Sequence, residues 1–496
     1  MSFRTTTAIA LILTSAVPAI ADVTPADVWD QVQTSINTDP TISLTIGSID
    51  EAPERIVVSN LAIQSEQDGI TFSALSPSLT IQDRGDGTVE MQYAETSPIL
   101  VSSTEKGDEF EMALDVIQTA VRYIISGDPE LMNFAMSGEQ IEVKLTDIST
   151  RDSSVQIEGG IIFADLAGNS IYTGGEDLKY SGDFTAGSMV TDISIQDRAD
   201  GSNGVIKSTV TDLRVDAQVE MPAGLAEDEV FVKGGMFKMD SSVGPTEIVI
   251  DFDIPDTKFR VDVSLDGSAT DVSLSPDGLF YDSSLTNTQL NMMLPDVLPF
   301  PIEASLGKFA TILKGPVNAG DADDLQLGLT IADLKISDGI WNLFDPGQLL
   351  ARDPATLDVQ LSGRGAIAFD LNVMEEEIAS SNGSPGVIEN LKIDALTLNA
   401  AGVTADGTGA FVFDNKDLKT FPGIPRPEGS AKIEITGANA LLDTLIQMGF
   451  VAPEEAMGMR MGMAMFTTPG TAEDSLSSEV EVNAQGHVLV NGQRMR

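Results

Sequence analysis

From about Thr41 onward, polar and apolar residues alternate along the chain. Ile42-Ser43-Leu44-Thr45-Ile46, Ile141-Glu142-Val143-Lys144-Leu145, Val261-Asp262-Val263-Ser264-Leu265 and Leu391-Lys392-Ile393-Asp394-Ala395-Leu396-Thr397-Leu398 each follow a period near two. Side chains of a strand point alternately to its two faces, so this period predicts half-buried antiparallel strands. Between such runs stand Asp86-Gly87, Asp200-Gly201, Asp277-Gly278, Asp406-Gly407 and Asn491-Gly492. Such pairs supply the positive-φ positions of tight hairpins, which makes consecutive strands neighbours in a meander. The stretch Phe110 to Phe134 fits a helical face through Met112, Val116, Ala120 and Ile124, but its β-branched content from Val121 to Ile125 favours strand.

Helix signals are few. Thr24 can cap, Pro25 opens and Asp27 completes a capping pattern, with Val28, Trp29, Val32 and Ile36 on one face. Near the other end, Asn439 is placed to cap a run with Leu441, Leu442, Leu445 and Met448 inward and Gly449 as its stop. A second run opens at Pro453, Glu454 and Glu455 and reaches about Phe466. The expected fold is mainly β with a few short helices, built of large antiparallel sheets in a meander or sandwich-like arrangement of two related β-rich halves.

At 496 residues two or three domains are expected. Pro295, Pro299 and Pro301 would deprive a paired strand of ladder donors. They mark the expected boundary between an N-terminal β-rich domain, 22–294, and a C-terminal β-rich domain, 295–496, that holds the two helices near 439–466. A softer break is expected from Ser380 to Gly386. Ile81-Gln82-Asp83-Arg84 followed by Asp86-Gly87 recurs as Ile195-Gln196-Asp197-Arg198 followed by Asp200-Gly201, as two β units of related plan would produce.

Residues 1–21 read as a signal peptide: Arg4, an apolar stretch from Ala8 to Leu13, Pro18, and Ala19-Ile20-Ala21 before Asp22. Cleavage is expected between Ala21 and Asp22, leaving a periplasmic or released protein. The apolar run is shorter than the roughly 20 residues of a spanning helix, and no cysteine follows for a lipid anchor.

With 28 basic and 76 acidic residues the net charge is −48. Phosphate backbones and anionic headgroups are repelled at long range by such a surface, which disfavours nucleic acid as a partner. Solubility in a salty medium accounts for the charge, and divalent cations are the remaining candidate partners. No cysteine is present and His487 is the only histidine. Thiol chemistry, disulfides and Cys/His zinc sites are thereby removed, and a Ser-His triad would have to use that one residue. His487, beside Gly486 in a short apolar run, reads as a strand-end residue without a chemical role.

Three other clusters carry side chains capable of chemistry. Met457, Met459, Met461, Met463 and Met465, with Gly458 and Gly462, could offer thioethers to Cu(I). Alternating methionines point all round a helix, however, and suit adaptable packing of a helix buried on several sides. Asp83, Asp86, Asp197 and Asp200 could hold Ca²⁺ but match neither an EF-hand nor a glycine-rich nonapeptide loop, and read as ordinary turn residues. Glu375-Glu376-Glu377 reads as a solvated charge run. No nucleophile elbow, phosphate-cradling loop or dinucleotide fingerprint appears, and carboxylates are too abundant for any pair to signal glycoside hydrolysis. No catalytic, cofactor-binding or metal residue is assigned, no cofactor is expected, and the chain reads as a non-enzyme.

The run Asp345-Pro346-Gly347-Gln348-Leu349-Leu350-Ala351-Arg352-Asp353-Pro354-Ala355-Thr356-Leu357 and the ending Gly486-His487-Val488-Leu489-Val490-Asn491-Gly492-Gln493 resemble the bacterial envelope proteins of domain-of-unknown-function family 2125. The resemblance covers most of the mature chain, including the Asp27-Val28-Trp29 start, and implies location and fold, with no catalytic or ligand residue to carry over. A sheet with few helices to cover it must bury its apolar face against another sheet or a ligand. The expected function is therefore a non-enzymatic periplasmic protein binding a lipid or other hydrophobic ligand along that face. The alternatives are an inert, cation-stabilised envelope or surface protein and, third, a glycan-cleaving enzyme.

Overall fold

The computed structural model describes residues 23–37, 41–67, 69–104, 109–150, 155–173, 177–225, 229–255, 257–320, 322–373 and 386–496. The expected signal peptide and its cleavage point, Glu375-Glu376-Glu377 and most of the Ser380–Gly386 break lie outside these residues. The chain forms two compact units. One comprises Met1–Ala223, Met239–Gly267 and Met292–Pro299; the other comprises Gly224–Lys238, Ser268–Asn291 and Phe300–Arg496.

The strands of the first part of the chain are β1 (Ile42–Ala52), β2 (Arg55–Gln67), β3 (Ile70–Asp83), β4 (Val89–Tyr93), β5 (Thr96–Ser103), β6 (Phe110–Thr119), β7 (Arg122–Asp128), β8 (Leu131–Thr150), β9 (Val155–Thr173), β10 (Leu178–Asp197), β11 (Asn203–Met221), β12 (Met236–Val243), β13 (Thr246–Ile254) and β14 (Thr257–Leu265). There follow β15 (Gly267–Ser275), β16 (Gly278–Met293), β17 (Ile302–Gly315), β18 (Asp323–Ile336), β19 (Ala355–Ile367), β20 (Gly386–Ala400), β21 (Val403–Asp414), β22 (Arg426–Thr436), β23 (Thr468–Pro469), β24 (Ser475–Val482), β25 (Val488–Val490) and β26 (Gln493–Arg494). The described helices are α1 (Pro25–Asn37), α2 (Val230–Lys233), α3 (Asp338–Trp341), α4 (Ala438–Met448) and α5 (Pro453–Phe466). The fold is mainly β and antiparallel, and Phe110 to Phe134 is strand apart from short breaks, with Ala120 at φ +54° between β6 and β7, which run on in one direction along β8.

In the first unit β1, β2 and β3 pair in order; β3 then meets β5 at its start and β4 at its end. β4 leads to β7 and β5 to β6, and both branches rejoin along β8, which continues through β9, β10, β11, β13 and β14. The core sits beneath α1. The Thr24 N–H donates to Asp27 Oδ2 at 2.9 Å and the Asp27 N–H returns a bond to Thr24 Oγ1 at 3.3 Å, closing the expected cap. Val28, Trp29 and Val32 are buried against Val58, Leu79, Ile81, Val89, Met91 and Ile125, and Ile36 packs at the margin. Tyr93 meets Tyr123 edge to face at 6.1 Å, and burial pushes the Tyr93 hydroxyl up to about 12.

Long strands of this unit are creased along a line. Asn60, Asp165 and Asp212 adopt φ between 52° and 54° in mid-strand, and each faces a glycine. A Cβ on Gly47 would lie 2.9 Å from Asn60 Cβ, one on Gly187 3.0 Å from Asp165 Cβ, and one on Gly244 3.1 Å from Asp212 Oδ2. Asn and Asp tolerate the left-handed region better than other side chains, and the facing glycine leaves room for the bend. Pro77 stands in β3 between Ser76 and Ser78, which pair with Leu61 and Ser59 on either side of Asn60. A proline missing its ladder donor is tolerated where the ladder is interrupted. In the second unit Asp333 repeats the device, at φ +56° and with its Cβ 3.0 Å from a Cβ built on Gly307, and Asn287 stands at φ +50° inside β16.

The expected hairpins at Asp86-Gly87, Asp200-Gly201 and Asn491-Gly492 are present, with Gly87, Gly201 and Gly492 at positive φ. Asp406-Gly407 is not a turn. It lies inside β21, where Asp406 pairs with Thr397 and Gly407 with Leu396 beside a bulge in β20. The turn that serves β21 is Ala401-Gly402, both at positive φ.

Candidate functional site

In the second unit β17, β18, β19, β20, β21, β22, β24, β25 and β26 pair in order. Antiparallel partners present their side chains on the same side, so the register assigns the composition of each face. One row runs Leu313, Leu327, Leu361, Ile393, Gly409, Ala431, Val480 and Val490. The next runs Thr311, Leu329, Val359, Leu396, Gly407 and Ile433, and a third runs Phe309, Ile331, Leu357, Leu398, Ala405, Ile435 and Leu476. A bulge in β20 between Ile393 and Leu396, seen as a register shift opposite both β19 and β21, keeps Ile393 and Leu396 on this side.

The opposite face is polar and largely self-satisfied. Thr330 Oγ1 donates to Asp358 Oδ1 at 2.8 Å, as does Gln360 Nε2, also at 2.8 Å. Thr397 Oγ1 donates to Asp406 Oδ1 at 2.9 Å, and Lys432 Nζ to Glu434 at 2.6 Å. Asp394 receives Lys392 Nζ and Ser362 Oγ, which hold its carboxyl below the ordinary carboxylate range. The partition between the two faces is therefore nearly complete.

The apolar face is not a filled core. Among the described residues of this unit only Val317, Ala405, Ala456, Val482 and Val490 are buried apolar side chains. The rows above are half-buried in the main, while Leu327 is 54% exposed, Leu313 43% and Leu398 40%. In the first unit, by contrast, Ile81, Leu79 and Met91 are fully enclosed. A smaller face of the same kind occurs far along the first unit's sheet, where Ile206, Ile250 and Val261 share a row and Phe252 stacks on Phe259 at 5.3 Å; all of these are half-buried. The strands Val261–Leu265 and Leu391–Leu398 thus both contribute to half-buried apolar faces. β17 and β18 were missed as contributors by the sequence reading, although Leu325-Gln326-Leu327-Gly328-Leu329-Thr330-Ile331 carries the same period of two.

The other sequence candidates resolve into structural roles. The Asp345 to Pro354 string is a buttressed loop. Asp345, 1% exposed, accepts the N–H groups of Leu349 at 2.9 Å and Leu350 at 3.0 Å. Burial alone would raise its carboxyl, but those N–H groups and Arg352 outweigh it and hold it low. The Arg352 guanidinium lies 5.6 Å over Trp341 and also bonds Asn342 and the Asp345 carbonyl. Asp83 and Asp197 cap their own turns, each accepting a backbone N–H two residues on at 2.7 Å, from Gly85 and Ala199. Asp86 and Asp200 do the same for Thr88 and Ser202, at 3.1 and 2.8 Å. These bonds lower both carboxyls, the side chains of Thr88 and Ser202 being the first cause. No group of three His, Cys, Asp or Glu side chains placed to hold a metal ion occurs among the described residues. His487 follows the Asn483–Gly486 turn, half-buried, with its N–H on Asn483 Oδ1 at 3.1 Å.

Two helix expectations need correction. Asn439 does not cap α4: the helix starts after Gly437, and the carboxylate of Asp474 accepts the Asn439 and Ala440 N–H groups at 3.3 and 2.9 Å, across 35 and 34 residues of chain. No residue of α4 is buried, and its apolar side is only half covered. The helix α5 has the expected bounds, yet it is not enclosed on several sides. Met457, Met459, Met461 and Met465 are exposed, and a Cβ on Gly458 or Gly462 would meet nothing within 4 Å.

Among the described residues no helix is long and apolar enough to cross a membrane. No curated protein and no solved structure matches the chain. A family profile described as "Uncharacterized protein conserved in bacteria (DUF2125)" matches residues 241–493, just over half of the chain, and takes in the Asp345 loop and most of the C-terminal hairpin but not Asp27-Val28-Trp29. On that match the chain belongs to the DUF2125 family.

Proposed function

We propose that this protein is an exported, non-enzymatic carrier that lays a lipid acyl chain, or a hydrophobic ligand of similar length, along the apolar face of its second unit. One observation carries the reading: three register-aligned apolar rows cross β17 to β22 and their neighbours without a layer of buried side chains over them. An acyl chain gains about 0.8 kcal/mol per methylene buried. Covering about eight methylenes would give roughly 6 kcal/mol before the cost of ordering the chain. The acidic polar face opposite does not compete for such a ligand, and a net charge of −48 favours a neutral or zwitterionic headgroup over an anionic one. The signal-like residues 1–21 support the periplasm as the place where this occurs. Divalent cations have less support, because Asp83, Asp86, Asp197 and Asp200 already spend oxygens on their own turns.

The test is native mass spectrometry of the full chain purified gently from the envelope, followed by organic extraction. Added mass identified as lipid is the expected result, together with saturable uptake of a zwitterionic phospholipid carrying a fluorescent acyl chain, which weakens in Ile393→Gln. A chain that carries no extractable lipid and takes up no probe overturns the proposal.

A further inference from the structure

Nineteen methionines are spread over 496 residues, yet five of them fall in the nine positions from Met457 to Met465 of α5. A helix advances 100° per residue, so Met457, Met461 and Met465 form one line along its surface. Ala456, at the opposite side, is the one fully buried residue of this helix. The three methionines on the line are 65%, 64% and 64% exposed, and Gly458 and Gly462 beside them have open space around them. Between Ala456 and Phe466 the one polar side chain is Arg460, which is drawn back toward α4 by Asp443 at 2.7 Å and the Asn439 carbonyl at 3.3 Å. Packing within the chain therefore does not explain why these positions are methionine.

We propose that the exposed methionine line of α5 is a soft-metal site that binds a monovalent d¹⁰ cation, Cu(I) or its analogue Ag(I), through pairs of thioethers. Side chains at i and i+4 have Cβ atoms about 5–6 Å apart. With a metal–sulfur bond of about 2.3 Å, two sulfurs must come within roughly 4.6 Å of one another, which the three rotatable bonds of methionine allow. Met461 belongs to both pairs, Met457/Met461 and Met461/Met465. Thioethers select soft cations over Ca²⁺, Mg²⁺ and Zn²⁺, and with no cysteine in the chain they are its softest ligands. The site is remote in composition from the apolar sheet face, since leucine would serve the latter equally well and cannot serve this one.

Silver nitrate titrated into the full chain in chloride-free buffer, read by calorimetry and by the ¹³C-methyl resonances of methionine, tests the site. Wild type is expected to bind Ag⁺ saturably with shifts confined to α5. Met457→Leu/Met461→Leu/Met465→Leu is expected to lose at least tenfold in affinity, and Met461→Leu alone to lose most of it. Met459→Leu/Met463→Leu is expected to bind like wild type. Leucine keeps helix propensity and apolar volume at exposed positions, and unchanged Trp341 fluorescence checks the fold of each variant. Absence of saturable Ag⁺ binding in wild type overturns the proposal, as does undiminished binding in the triple variant.

Discussion

If the apolar face of the second unit is open, a polar side chain placed on it should cost far less than one placed in the first unit's core. Ile81 is fully enclosed between Ile56 and Met91, its register partners on either side. Ile81→Asn forfeits the whole transfer free energy of the side chain, about 1.5–3 kcal/mol, and strands an amide away from water. A total of about 3–5 kcal/mol is expected. Leu327 is already 54% exposed, so Leu327→Gln gives up less than half of that transfer term and leaves its amide wet, for about 1 kcal/mol. Ile393→Gln, half-buried, should fall between, at about 1–2 kcal/mol. The two tryptophans separate the readouts, because Trp29 lies in the first unit and Trp341 in the second. Urea unfolding of Trp341→Phe and Trp29→Phe backgrounds, followed by fluorescence, reports each unit by itself, and the expected gap exceeds the extrapolation error. A cost at Leu327 or Ile393 equal to that at Ile81 would mean that the face is a packed core, and the carrier reading would fail with it.

Gly187→Val should destabilise the first unit by about 1–3 kcal/mol, because its Cβ would press on Asp165 at 3.0 Å; denaturation in urea measures this, and a neutral result would remove the crease argument. Thr24→Ala should cost about 1 kcal/mol through loss of the α1 cap, seen as a lower urea midpoint in the Trp29 signal. Asp417 is held down to about 2, first by the Thr420 side chain and then by the Thr420 N–H. A lowered folded value stabilises above the ordinary carboxylate range and is lost as pH falls. The stability difference between wild type and Asp417→Asn should therefore be full above about pH 4 and shrink toward pH 2, and a pH-independent difference would contradict it. N-terminal sequencing of the exported protein should begin at Asp22, and retention of Met1 would argue against export by cleavage.

The antiparallel β class was legible because alternation is a strictly local signal, visible in strands such as Ile141–Leu145 without knowledge of their partners. The same holds for α1, α5 and the Asn491-Gly492 turn, whose determinants lie within a few residues. What escaped was set by partners distant in sequence. Asp474 caps α4 from 34 to 35 residues away, and Asp406-Gly407 looks like a turn until its pairing with Leu396 and Thr397 is known. The echo of Ile81–Gly87 in Ile195–Gly201 reflects a shared turn, with the same side-chain bonds to backbone N–H groups in both copies. A second repeat went unread: Ser59-Asn60-Leu61, Ala164-Asp165-Leu166, Thr211-Asp212-Leu213 and Ala332-Asp333-Leu334. Each marks a left-handed residue in mid-strand. Its meaning depends on the facing glycine of another strand, which periodicity does not report. The exposure of the methionines in α5 was hidden for a similar reason, since composition fixes a side chain's chemistry but not what lies against it.

An open apolar face on a long sheet is a liability as well as a site, because exposed apolar patches and unpaired strand edges invite association with other copies. The charge pattern bears directly on that problem. On the second unit's sheet the carboxylates of Asp358, Asp394, Asp406 and Glu434 are confined to the polar face, and their lysine partners Lys392 and Lys432 are too few to neutralise the chain's surplus of acids. Two molecules approaching through their apolar faces must therefore bring together two bodies of like charge, each near −48. Screening confines that repulsion to about 8 Å at physiological ionic strength. Sheets packed face to face lie about 10 Å apart, so carboxylates on the two outer polar faces would stand beyond that range at physiological salt, whereas at about 0.01 M, where screening extends to about 30 Å, they oppose the contact. Charge therefore guards the apolar face against other copies at low ionic strength, and self-association is expected to rise with salt while uptake of a neutral acyl chain does not change.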